Sequence, residues 1–325
     1  MGQFLVNPPQ CNHVLYIDDR RRYATLHLSL ECGRAGVTSH DTDYRHCAKT
    51  LDDWLRTNPE KVLTELLVST SRVHSGWLDP VVSVLGEHRT DVQRLGLGAL
   101  TFPDFGRGDY VPEDRSRDGS SWRLSVTLNE VLEAVPSLEE LVVQANDVGT
   151  YRSLGEADQL RRLVVRDNGL NPKVVAELGA GSFPRLEVLE LWLGRFEFGW
   201  DGSAADLVPL LNSSGLGNLR HLTLVSDLTD GLVDVLARSA LVSRLESLRL
   251  PFGVLDASAA TRLRDLWPAF GTLRRLDLTG NAIAVDAARA LHETAPDVVV
   301  LGDQRTRIDF EPFFDPPMVG FFDTW

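Results

Sequence analysis

Apolar and polar positions recur along this chain in one phrase: leucine, two variable residues, leucine, one variable residue, then leucine or valine. It reads Leu138-Leu141-Val143, Leu160-Leu163-Val165, Leu186-Leu189-Leu191, Leu219-Leu222-Leu224, Leu245-Leu248-Leu250 and Leu273-Leu276-Leu278. The last two apolar positions of each phrase are two residues apart, the period of a strand that sends alternate side chains into a core, so each phrase predicts one short strand. The first leucines fall at 138, 160, 186, 219, 245 and 273, in steps of 22, 26, 33, 26 and 28 residues. A family of parallel turns with loops of unequal length accounts for those steps. Weaker copies at Leu63-Leu66-Val68, Val92-Leu95-Leu97 and Val298-Leu301 bring the series to eight or nine turns.

Between the phrases the spacing turns helical, as in Asp206-Leu207-Leu210-Leu211, Leu232-Val235-Leu236, Ala259-Leu263-Leu266-Trp267 and Ala287-Ala290-Leu291. The step from 138 to 160 leaves little room for a helix, so Val148 to Gln159 is expected to form a loop or a single turn. The pattern predicts an α/β leucine-rich-repeat solenoid, with a curved parallel β-sheet on the concave side, mostly α-helices on the convex side, and a cap at each end. Asn146, Asn168 and Asn281 stand three residues after the phrase, where Asp227, Gly194 and Gly253 stand in other copies. A side-chain amide there can bond backbone groups freed where the strand turns, which is a structural role.

One continuous domain is expected, in three parts. Residues 1–60 form an N-terminal cap, with a strand over Tyr23 to Leu30 and a helix over Tyr44 to Arg56. Residues 61–302 form the solenoid, interrupted by an aromatic and charged insertion at 101–122. Residues 303–325 form an aromatic, acidic tail that either covers the last turn or docks elsewhere.

Strand side chains alternate, so the residues between the inward leucines fall into columns across the concave face. The central column reads Val142, Val164, Glu190, Thr223, Arg249 and Asp277. The flanking columns read Gln144, Arg166, Trp192, Val225 on one side and Glu140, Arg162, Val188, His221, Ser247, Arg275 on the other. The candidate partner-binding residues are Arg162, Arg166, Glu190, Trp192, His221, Arg249 and Asp277. A solvent-facing tryptophan among arginines has the make-up of a binding hot spot. Under that reading, Trp192→Ala weakens binding and leaves thermal stability unchanged. A solvated sheet whose charges pair across strands, such as Arg249 with Asp277, is the competing reading.

A net charge of -13 argues against a general nucleic-acid binder, which needs a basic stripe to displace counterions, and against anionic membranes. No segment is long and apolar enough to span a bilayer, the start shows no leader, and three cysteines fit reduced thiols, so a cytoplasmic protein is expected. Lysine occurs only at 49, 61 and 173. A GC-rich bacterial genome explains that more simply than lysine avoidance by an exported effector.

Cys11, His13, Cys32, His40, Asp41, Asp43, His46 and Cys47 crowd the N-terminal part, but they lack paired C-x-x-C knuckles, and no metal or cofactor is expected. Phosphate-loop, H-E-x-x-H and G-x-S-x-G signatures are missing, and Gly96-x-Gly98 lacks the third glycine of a nucleotide fingerprint. His221 beside Glu190 or Asp277 is the one conceivable acid–base group, and the chain is expected not to be an enzyme.

The segment Leu186-Glu-Val-Leu-Glu-Leu-Trp-Leu-Gly194, the stretch from Gly202 to Leu211, Val242-Ser-Arg-Leu-Glu-Ser-Leu248, and Trp122 ahead of the helix at Leu128 to Leu132 resemble a family of stand-alone bacterial leucine-rich-repeat proteins. The resemblance implies a cytoplasmic protein without catalytic residues, with relatives sometimes encoded near ATP-grasp or radical-SAM enzymes. The leading expectation is a scaffold that binds a protein or peptide on its concave face. An accessory subunit presenting a substrate to a modifying enzyme comes second, and an exported effector third. Oligomeric state is left open.

Overall fold

The computed structural model describes residues 2–6, 12–17, 24–31, 45–70, 76–98, 124–145, 147–194, 199–229 and 231–305. The expectations placed on Cys11, Cys32, His40, Asp41, Asp43, Asn146, the 101–122 insertion and the 308–325 tail lie outside the described residues, as do the side chains of His13, His46 and Cys47.

The chain opens with β1 (Gly2–Val6), β2 (Asn12–Ile17) and β3 (Ala24–Glu31), joined antiparallel. Helix α1 (Arg45–Thr57) follows, then β4 (Leu63–Thr70), β5 (Gly76–Trp77), α2 (Asp79–Glu87) and β6 (Arg94–Gly98). Next come β7 (Leu124–Thr127), α3 (Leu128–Ala134), β8 (Glu140–Gln144), β9 (Asp147–Gly149), β10 (Arg162–Arg166) and α4 (Pro172–Ala180). The remainder is β11 (Val188–Gly194), α5 (Val208–Leu211), β12 (His221–Ser226), α6 (Leu232–Ala237), β13 (Ser247–Arg249), α7 (Ala257–Asp265), β14 (Arg275–Asp277), α8 (Val285–Thr294) and β15 (Val299–Val300).

Two sheets result. The larger has twelve strands in the order β1-β2-β3-β4-β6-β8-β10-β11-β12-β13-β14-β15, and every pair from β3 onward is parallel. Chain order equals sheet order, so each turn lays its strand beside the previous one, as in a solenoid. The smaller sheet, β5-β7-β9, is parallel throughout. Its strands are two to four residues long, too short for periodicity to announce.

Each leucine phrase supplies one strand. Leu141, Leu163, Leu189, Leu222, Leu248 and Leu276 stand side by side in register. They form one continuous core with Val81 and Leu85 of α2, Val131 of α3, Leu178 of α4, Leu236 of α6, Leu263 of α7 and Leu291 of α8. Burying each of these side chains is worth roughly 1.5–3 kcal/mol against exposure, which makes the leucine column the main support of the sheet. Helix starts carry local signals: the Asn171 side chain accepts from Lys173 N ahead of Pro172, and Asp256 accepts from the amides of Ser258 and Ala259.

The stretch from Val148 to Gln159 contains no helix, but its first residues complete β9. At the far end Val299 pairs with Leu276, two residues before the Leu301 expected there. The run Val298-Val299-Val300-Leu301 has no alternation, so pattern alone does not set its register. Among the described residues no helix is long and apolar enough to cross a membrane.

Candidate recognition face

The columns read from the sequence are the columns of the sheet. Val142, Val164, Glu190, Thr223, Arg249 and Asp277 are cross-strand neighbours in succession, as are Glu140, Arg162, Val188, His221, Ser247 and Arg275. Gln144, Arg166, Trp192 and Val225 complete the third row. These side chains leave the sheet on the face away from the leucine core. Trp192 and Val225 accordingly form an apolar cluster of their own, with Phe252 packed against it.

Trp192 does not face solvent, which corrects the expectation: it is 7% exposed, Arg166 is 4% and Glu190 is 6%. Adjacent strands lie only about 4.8 Å apart, so long side chains can lie across the face and cover one another. Glu190 Oε1 accepts from Arg166 Nε and from Trp192 Nε1, both at 2.8 Å. The Arg166 guanidinium sits 5.4 Å from the centre of the Trp192 ring, which places a cation over an aromatic face. Truncating Trp192 to alanine would open a cavity costing about 3–5 kcal/mol, so that variant is no clean probe of binding.

A second cluster closes around Asp277. Its carboxylate accepts from Arg275 Nη2 at 2.9 Å and from Thr279 N at 3.1 Å, and Arg249 Nε lies 3.5 Å away. Burial pushes the Asp277 carboxyl upward, but the Thr279 and Arg275 hydrogen bonds and the Arg249 charge outweigh it and hold it below the usual carboxylate range. The Arg249–Asp277 pair anticipated from cross-strand placement is therefore present. Arg162 is buried, whereas His221 and Arg249 are half-buried. Toward the N-terminal side, Arg94 bridges Glu65 at 2.9 Å and Glu140 at 3.4 Å, extending the ion pairs along the face.

Thr223 stands between the two clusters at 3% exposure, and its hydroxyl has no hydrogen-bond partner among the described residues. Sequence placed it in the central column without marking it as a site residue. Its residue type alone carries no signal, and only its burial makes an unpaired hydroxyl conspicuous.

Turn chemistry at the ends of the strands matches the amide reading at one position and shifts it at another. Asn281 is fully buried, donates to the carbonyls of Leu250 and Leu278, and accepts from Leu255 N. In the β10 turn the role falls to Asp167 instead of Asn168: its carboxylate accepts from Val148 N at 2.7 Å and from Gly169 N at 2.8 Å. Burial raises the Asp167 pKa to about 6, against the lowering effect of those amides.

This sets a pH dependence whose sign is fixed. The folded state holds the Asp167 proton more tightly than the unfolded chain does, so stability falls as pH rises from about 4 to about 6. The fully ionised form carries a penalty of about 3 kcal/mol at pH 7. Urea melts of wild type and Asp167→Asn should therefore diverge in that window, with wild type gaining relative to the variant on acidification. A difference independent of pH would rule this out.

No protein-family model matches the chain, and no curated protein matches it either. A structural-genomics protein from Bacteroides fragilis is similar in structure, with a TM-score of 0.64 at 19% identity over 84% of this chain and 76% of that one. A chain from a TLR13–ssRNA13 complex aligns with a TM-score of 0.44 at 15% identity, over 82% of this chain and 36% of that one. This chain therefore spans about a third of the TLR13 chain's length. The Bacteroides likeness shows a shared fold: an α/β architecture on a mostly parallel sheet whose strands follow one another in chain order.

Proposed function

We propose that this chain is a leucine-rich-repeat solenoid that acts without catalysis, as a scaffold recognising a protein or peptide on the sheet face opposite its helices. The observation that carries this reading is the register: six consecutive strands, β8 and β10 to β14, hold two columns in line, and the first four of them hold a third. Six strands span roughly 24 Å at about 4.8 Å each, the length of about seven extended residues. The ion pairs within the face fix its side chains before a partner arrives, which lowers the ordering cost of binding. Its half-buried members, His221 and Arg249, and the more exposed Arg275 remain for contact. The net charge of -13 supports a protein partner over a polyanion.

A photo-crosslinking residue at 221, 249 or 275, compared with positions 264 and 289 on helices, tests the face in the native host. Protein adducts are expected from the three face positions alone. Equal adducts from the helix positions, or adducts to RNA, would overturn the reading.

A further inference from the structure

Strands β7 and β9 run into a pocket of about 140 Å3, which the loop after β9 and the start of α4 complete. Its polar lining includes Ser125, Thr127, Asp147, Tyr151, Asn171 and Lys173, beside Thr150, whose hydroxyl is already bonded to Asn129. It belongs to the smaller sheet and shares none of the residues of the recognition face.

The charges in this pocket are opposite and apart. Lys173 is exposed, and among the described residues no carboxylate lies within ion-pair distance of its ammonium. Asp147 is held by Ser125 Oγ, which donates to Oδ2 at 2.7 Å, and Oδ1 has no partner among the described residues. Thr127 is only 4% exposed, yet its hydroxyl neither caps α3 nor finds another partner among the described residues. A hydroxyl that lines a pocket wall and makes no bond to the described residues is free to bond a group that enters the pocket. The first amides of α4 supply nothing, because Asn171 already accepts from Lys173 N and Val174 N.

We propose that this pocket binds a small zwitterion of the α-amino-acid class, its ammonium on Asp147, its carboxylate on Lys173, and its polar edge on the Thr127 hydroxyl. The size fits, since a cavity of about 150 Å3 holds a benzene-sized guest of roughly six non-hydrogen atoms. Charge supplies the selection: Asp147 disfavours a simple anion and Lys173 a simple cation, whereas a zwitterion satisfies both. Tyr151, 66% exposed at the rim, leaves the mouth open.

The test is an NMR titration of the full chain with glycine, L-alanine and L-serine, beside acetate and methylammonium as half-ligands. At least one amino acid should saturate with a Kd of about 1 mM or tighter, and neither half-ligand should saturate at about tenfold that concentration. Lys173→Met, at an exposed position that leaves the fold intact, should weaken binding about tenfold or more, and Asp147→Asn similarly, each losing one charge-assisted contact. No saturation by any of the three amino acids, acetate binding as tightly as they do, or undiminished affinity in Lys173→Met would overturn the proposal.

Discussion

Replacing Glu190 by alanine is expected to destabilise the fold by about 3–5 kcal/mol, the cost of stranding a buried charge by deleting its partner. Arg166 is 4% exposed and its Nε hydrogen bond ends on Glu190, so the guanidinium cannot turn to water without disrupting the face. The Trp192 indole loses the same acceptor oxygen, which adds an unsatisfied donor. Replacing both members of the pair with methionine should recover most of the loss, because well-packed apolar residues commonly substitute for a buried ion pair at little cost. Urea denaturation of the two single variants and the double variant measures this directly. A Glu190→Ala loss under about 1 kcal/mol would mean that water reaches Arg166, and the closed cluster would then be wrong.

The same cluster separates what sequence could reveal from what it could not. Repeated leucines set the strand register, and register sets the columns, so the neighbours of Glu190 are legible in the sequence. Alternation gives the direction in which Cβ leaves the sheet, but not where a long side chain comes to rest. Trp192 therefore read as exposed although it packs against Val225 and Phe252. Phe252, at φ 58, was invisible in the pattern because it lies beyond the last paired residue of β13 and packs through a turn.

Elsewhere the losses have simpler causes. β1 and β2 carry no leucine phrase, and the smaller sheet is built from strands too short to show a period. The amide at the end of each phrase was legible for Asn281, whose three hydrogen bonds close its turn. It was misplaced by one residue at Asp167-Asn168, where either side chain satisfies the pattern and only the path of the turn decides. The zwitterion pocket had no sequence signature at all, since Asp147 and Lys173 come from different turns and line one pocket only through stacking.

Replacing Gly194 by alanine is expected to cost at least about 4 kcal/mol, a large part of the stability of an ordinary domain. Two separate penalties combine there. The residue has φ +84, a conformation that side-chain-bearing residues adopt at a cost of about 1–3 kcal/mol. A Cβ at that position would also lie 1.7 Å from the Asn168 carbonyl oxygen and 2.5 Å from Gly169 N, both rigid backbone of the preceding turn. That closeness is built into the stacking: Gly194 bridges Gly169, Leu170 N donates to Leu193 O, and the register with β12 shifts between Trp192 and Gly194. Gly155 separates the two penalties, for it has φ +67 with nothing within 4 Å of an added Cβ. Gly155→Ala should therefore carry the conformational cost alone, about 1 kcal/mol, and leave β11 untouched. Thermal melts of the two variants side by side decide the matter. Equal losses would show that adjacent turns do not touch at Gly194, whereas a much larger loss at 194 would mean that the bend after Trp192, and with it the placement of the Glu190 cluster, depends on backbone-to-backbone contact that only glycine permits.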